Sequence, residues 1–68
     1  MKIVVNGDAI EVPEGATVRN VVEMMTEAHG QKGIAVAVNA VVVHRGAWGE
    51  TTLSEEDQVE VLSAIGGG

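Results

Sequence analysis

An α+β fold, with one main helix packed on one face of a four- to five-stranded mixed sheet, is what this sequence predicts. Three observations lead there. Asn6-Gly7 stands between two short apolar segments, and this dipeptide signals a hairpin because a type I′ turn needs positive φ at both central residues. One stretch then has helical apolar spacing: Val18, Val21, Val22 and Met25 fall at i, i+3, i+4 and i+7. The rest of the chain consists of short β-branched runs separated by turn residues. A hairpin, one helix and further strands give a layer of sheet with the helix on one side.

Residues 2–5 read as the first strand and residues 9–12 as its return, with Ile3, Val5, Ile10 and Val12 on one face. Pro13-Glu14-Gly15 ends the hairpin. Thr17 is placed to cap the helix, its hydroxyl accepting from a free backbone N–H. The helix should run from about Val18 to Ala28 and stop near Gly30. Its valines are poor helix formers, so tertiary packing must hold it. After the loop Gln31-Lys32-Gly33, the run Ile34 to Val38 reads as a strand buried on both faces or central in the sheet, with Ala35 and Ala37 allowing close packing. Asn39-Ala40 turns the chain into a short strand, Val41 to His44. Residues 45–52 read as irregular, with Trp48 covering one end of the core. Leu53 anchors the approach to the acidic turn 54–57. The last strand, residues 59–64, puts Val59 and Val61 on one face and Glu60 and Leu62 on the other. The first and last strands are apolar enough to lie side by side at the centre, which is the β-grasp arrangement.

The chain has 68 residues and no cysteine, and Trp48 is its only aromatic. A single domain of this size buries about 60% of its unfolded surface, and here the core must be valine, isoleucine, leucine, methionine and alanine. So small a core offers little room for a small-molecule pocket. Ten acids face only Lys2, Arg19, Lys32 and Arg45, a net charge of −6. Nucleic-acid binding needs clustered basic residues and is disfavoured. The acidity suits a basic protein partner, with association speeded by steering, or simply keeps the chain soluble. No apolar run reaches membrane-spanning length, and the start enters a strand pattern without a signal peptide's apolar segment; a cytoplasmic protein without membrane partners is expected. His29 and His44 read as surface or loop residues, and no metal site or bound cofactor is expected. Glu55-Glu56 reads as a solvated acidic turn without a histidine for acid–base work, so the chain is expected not to be an enzyme.

The sequence closes on Gly66-Gly67-Gly68 directly after the last strand. Residues 1–65 therefore read as the folded body and 66–68 as a flexible tail. Glycine lacks a Cβ, so such a tail can thread a channel closed to other residues, and three extended residues reach about 10 Å. The shape suits delivery of the Gly68 carboxylate to another protein's active site; the competing reading is a chain end without a role. On the sheet face opposite the helix, Val4 and Leu62 are left outside by the apolar pattern. With Ile65 they form the candidate partner-binding patch.

At this point the sequence resembles the ubiquitin-like sulfur carriers, most closely the ThiS family of thiamine biosynthesis within the ThiS/MoaD superfamily. The resemblance rests on Val5-Asn6-Gly7-Asp8, Glu14-Gly15-Ala16-Thr17-Val18, Ile34 to Asn39, Val43-His44-Arg45-Gly46-Ala47-Trp48, Leu53 with Asp57-x-Val59-Glu60-Val61, and the glycine tail. His44 stands where proline is usual, and the third glycine exceeds the family's two. The resemblance implies that Gly68, led by Gly66 and Gly67, is the reacting end. Its carboxylate, ionised at neutral pH, would be adenylated with ATP by a ThiF-like adenylyltransferase. A cysteine-desulfurase-derived persulfide would convert it to a thiocarboxylate, and a ThiG-like thiazole synthase would take the sulfur for the thiazole ring. The small subunit of molybdopterin synthase, a tRNA-thiolation carrier and a ubiquitin-like protein modifier share the fold and the tail and remain open.

Overall fold

The Asn-Gly turn and the alternation around it form a hairpin, as the sequence predicts. In the computed structural model, which describes residues 1–26 and 33–63, β1 (Lys2–Val5) and β2 (Asp8–Glu11) pair antiparallel with Ile3 opposite Ile10. Asn6 and Gly7 take φ of 51° and 88°, the left-handed pair that a type I′ turn requires. α1 (Val18–Thr26) follows, then β3 (Ile34–Val38), β4 (Val41–Val43), a 3-10 helix (Arg45–Glu50) and β5 (Gln58–Ser63). The strand order is β2-β1-β5-β3-β4. β5 pairs parallel with β1 and antiparallel with β3, so the first and last strands are adjacent and the sheet is mixed, as expected.

Why the helix starts where it does is visible in its hydrogen bonds. The Thr17 hydroxyl accepts from the Asn20 N–H at 3.3 Å, and the Asn20 side-chain oxygen accepts from the Thr17 N–H at 2.8 Å. This is a reciprocal cap with asparagine at the position a glutamate or glutamine more often fills. The Val18 N–H, free in any first helical turn, donates to the Thr51 carbonyl at 3.0 Å, and the Leu53 N–H donates to the Ala16 carbonyl at 2.8 Å. The helix start is thereby fastened to the segment after the 3-10 helix.

Val18, Val21 and Val22 are buried with Ile3, Val5, Val36, Val59 and Val61 in one cluster. This apolar packing holds a helix that its valines would not favour alone. Met25 departs from the expectation: it is 45% exposed, because the core covers the first two turns of α1 and leaves the third open. The expected end of the helix, near Ala28 and Gly30, lies outside the described residues, as do His29 and Lys32.

Two further expectations are corrected. Of the two placements expected for β3, a position inside the sheet holds, between β5 and β4, and burial on both faces does not: Val36 is buried on the helix side while Ala35 is exposed on the other, since α1 covers one sheet face only. Residues 45–50 are a 3-10 helix rather than irregular chain, and it delivers Trp48 into the core. The Trp48 indole N–H donates to the Val43 carbonyl at 3.0 Å, so its one polar group is satisfied where the ring is buried. Arg45 stacks on the outer side of that ring, 5.8 Å from its centre, within cation–π range. His44 has φ −65° and ψ 148°, the conformation a proline would fix, so histidine here leaves the loop path as proline would set it.

Truncating Val21 to alanine should cost roughly 1–3 kcal/mol through lost burial and the cavity left behind. Urea denaturation of Val21→Ala measures this; an unchanged midpoint would mean the helix face is not packed as described.

Candidate functional site

β5 is the element that carries the chain toward its glycine run, so the site begins with what holds that strand. On one side it pairs with β3 through its length, from Val38 opposite Val59 to Ile34 opposite Ser63. On the other side β1 covers only its start, pairing Val4 with Gln58 and Val5 with Val59. Beyond that point Asn6 takes over. Its backbone N–H donates to the Val59 carbonyl at 2.9 Å, its side-chain oxygen accepts from the Val61 N–H at 2.9 Å, and its side-chain NH2 donates to the Val61 carbonyl at 3.1 Å.

The entry of β5 has a matching device. Asn39, also left-handed with φ 51°, gives its backbone N–H to the Gln58 carbonyl at 2.7 Å and accepts from the Gln58 N–H at 3.0 Å. Its side-chain NH2 donates to an Asp57 oxygen at 3.0 Å. The other Asp57 oxygen accepts from the Ser54 N–H at 2.8 Å, closing the acidic turn. The Glu56 N–H donates to the Lys2 carbonyl at 2.7 Å, and the Glu56 carboxylate lies 3.3 Å from the Lys2 ammonium. The acidic turn is thus built into the start of the sheet, and among the described residues no cluster of three metal-binding side chains exists.

The sheet face turned away from α1 is open. Val59 and Val61 point into the core, so Glu60 and Leu62 point out. Leu62 is 65% exposed and sits opposite Ala35; Val42 is 69% exposed and sits opposite Ala37. The two alanines are short, and between Val42 and Leu62 they leave a shallow depression of about 80 Å³ with Glu60 at its margin. Val4 lies on the same face, half-buried. The structure therefore brings Val4 and Leu62 to one face, as the alternation predicts, and adds Val42, Ala35 and Ala37, which sequence reasoning missed. The signal was present in Ile34-Ala35-Val36-Ala37-Val38: alternating large and small residues mark an inner and an outer face. Ile65, Gly66, Gly67 and Gly68 lie outside the described residues.

A second concavity, an open groove of about 550 Å³, runs beside α1 past Pro13, Glu14, Asn20, Glu23 and Met24. The core itself was expected to offer little room for a ligand; this groove opens to the surface and is lined in part by the core residues Val12 and Ala16. Among the described residues its lining includes Glu14 and Glu23 and no histidine, cysteine or basic side chain, so these residues offer no acid–base or nucleophilic pair. No helix among the described residues is long and apolar enough to cross a membrane.

Residues 2–68 match the sequence profile of the ThiS family. The chain is 31% identical over 68 residues to the sulfur carrier protein ThiS of Escherichia coli, covering the whole of both. It is 38% identical over 68 residues to a thiazole synthase of Magnetococcus marinus, where it spans 20% of that protein's length. Among solved structures, the crystal structure of the thiamine biosynthesis protein ThiS from Geobacter metallireducens superposes with a TM-score of 0.79 at 31% identity, with both chains covered completely. The solution structure of a thiamine biosynthesis protein from the same organism superposes at 0.77 and 30% identity, with 88% of that chain covered.

Because Leu62 stands in solvent, Leu62→Glu should change stability by no more than about 0.5 kcal/mol. A thermal melt checks this; a large drop would place Leu62 in the core rather than on an open face.

Proposed function

The chain belongs to the ThiS family, and on that premise we propose that it is a sulfur carrier of thiamine biosynthesis whose Gly68 carboxylate is the group that reacts. The observation that carries this reading is the position of β5. A strand at the centre of the sheet, held on both sides, leads within a few residues to Gly66-Gly67-Gly68. A rigid body with a side-chain-free end is what a deeply enclosed active site on another protein requires.

The chemistry follows from the carboxylate. Ionised at neutral pH, it is a poor electrophile because oxide is a poor leaving group. One of its oxygens attacks the α-phosphorus of ATP, pyrophosphate departs, and a mixed anhydride with AMP forms. A persulfide then attacks the acyl carbon and expels AMP, giving an acyl disulfide. A second thiol attacks the sulfur of that disulfide borne by the donor and is oxidised with it, leaving the thiocarboxylate on Gly68. The charge developing on phosphorus must be met by cations and donors of an adenylyltransferase of ThiF type, since this chain has no basic cluster or phosphate-cradling loop. A persulfide derived from a cysteine desulfurase is the sulfur source in this reading. A thiazole synthase of ThiG type is the acceptor; the likeness to a longer thiazole synthase supports that pairing. The chain is a co-substrate acted on by its partners rather than a catalyst.

Val4, Leu62 and Ile65 are proposed as the surface the adenylyltransferase grips, with Val42 added from the structure. The open face is apolar at Leu62 and Val42 while the chain around it is acidic, which suits a partner offering an apolar patch framed by basic residues.

Two measurements test the reading. Incubation with ATP, an adenylyltransferase and a persulfide donor should replace one oxygen by sulfur in the intact mass. Deleting Gly67 and Gly68 together removes about 7 Å of reach and should abolish this, whereas deleting Gly68 alone keeps a di-glycine end and should slow it. A C-terminal extension that removes the free carboxylate should also abolish it while the thermal melt is unchanged; sulfur gained at the same rate by the extended protein would sink the carrier reading. Separately, Leu62→Glu should raise the KM of the adenylyltransferase for this chain, and an unchanged KM would remove the open face from the interface.

A further inference from the structure

We propose that Asn6 is a positioning residue for the carboxyl-terminal chemistry: its side-chain amide stands in for a missing strand and fixes the direction in which β5 leaves the sheet. The inference rests on the sulfur-carrier reading above and adds a residue to it.

β5 outruns β1. β1 ends at Val5, level with Val59, while β5 continues to Ser63. The N–H and C=O of Val61 point to the side where β1 has already turned away into the hairpin. A side-chain amide carries one donor and one acceptor group in the same planar arrangement as a peptide. Asn6 uses both on the same residue, accepting from the Val61 N–H at 2.9 Å and donating to the Val61 carbonyl at 3.1 Å. These two bonds extend the β1 side of the ladder by one position without a further residue of main chain. They reach across 55 positions of sequence, and Asn6 can make them because its backbone is left-handed, φ 51°, which asparagine tolerates better than most residues.

Without the amide, the β1-side edge of β5 beyond Val59 would have no described backbone partner, leaving the pairing to β3, through Val36 opposite Val61 and Ile34 opposite Ser63, and the packing of the Val61 side chain. A strand held along one edge can pivot about that edge. The open face bearing Leu62 would still dock, but the glycine run would approach the partner's ATP from a wider spread of directions. Reactions that depend on alignment lose rate steeply when a group is displaced by an ångström.

The test separates alignment from stability. Asn6→Gly keeps the turn, since glycine adopts positive φ freely, and removes both bonds. Asn39→Gly is the control: it removes the equivalent left-handed asparagine at the entry of β5, remote from the exit. Both are assayed as full chains, at a temperature where the thermal melt shows each folded, by pyrophosphate release with the adenylyltransferase. A variant that is merely less stable presents less competent carrier, which raises the apparent KM and leaves kcat alone. Asn6→Gly is expected to lower kcat about tenfold with KM within about twofold, and Asn39→Gly to leave kcat unchanged. Unchanged kcat for Asn6→Gly, or an equal fall in both variants, overturns the proposal. Amide hydrogen exchange at Val61 in the free protein should also speed up about tenfold or more in Asn6→Gly. If the wild-type chain is not adenylated at all, the carrier reading fails by itself, and unchanged exchange at Val61 would then overturn the Asn6 assignment independently.

Discussion

The sheet depends on β5 being paired on both of its edges. β1 and β2 form one hairpin, β3 and β4 another, and in the strand order these two hairpins meet only through β5. Each hairpin is local in sequence, whereas the β1–β5 pairing joins residues more than fifty positions apart, as Val5 with Val59. The nonlocal closure is the entropically demanding one. Val59 and Val61 make it worthwhile, because they complete the buried cluster under α1. The two left-handed asparagines secure the same strand at its entry and along its exit. Core and sheet therefore share one element.

Much of this was legible in the residues. Asn6-Gly7 announced a hairpin because few other pairs accept two positive φ values, and the 3.6-residue spacing of Val18, Val21 and Val22 announced the buried helix face. The adjacency of first and last strands followed from their apolar content. What escaped the sequence were effects of tertiary placement. Met25 continues the helical stripe, but it stands half exposed because no described residue covers the third turn. Ala35 and Ala37 were read as close packing, whereas they line the open face, because a period of two does not say which face is covered. The 3-10 helix around Trp48 was missed because Gly46 and Gly49 argue for loop, while the buried indole and its bond to the Val43 carbonyl hold the segment in a tight helical path. Of the candidate site, Val4 and Leu62 were found by alternation. Val42 was not, since three consecutive valines give no alternation to read. Asn6 was recognised as a turn former, but its bond to Val61 is invisible without the fold.

The described residues divide into carboxylates that serve the fold and an exposed apolar face. The described carboxylates serve turns and surface, such as Asp57 in the acidic turn and Glu56 beside Lys2. Among the described residues none is hydrogen-bonded to a histidine or a hydroxyl. Leu62 and Val42 stand exposed on the same sheet whose central strand leads to the glycine run. On the proposed reading, docking at Leu62 and delivery of the carboxyl end would be coupled through a few residues of one strand.

Asn6 also gives this molecule a clock. In an Asn-Gly pair the glycine nitrogen can close onto the side-chain carbonyl and expel ammonia, because glycine offers no steric hindrance to the ring. The product carries an acid, or a rerouted backbone, where the amide stood, and it no longer has an NH2 to give to the Val61 carbonyl. In the folded chain that amide is engaged by both groups of Val61 and is not free to swing toward its neighbour. Ring closure at Asn6 therefore requires that both bonds to Val61 first open, and its product lacks the NH2 that reaches the Val61 carbonyl.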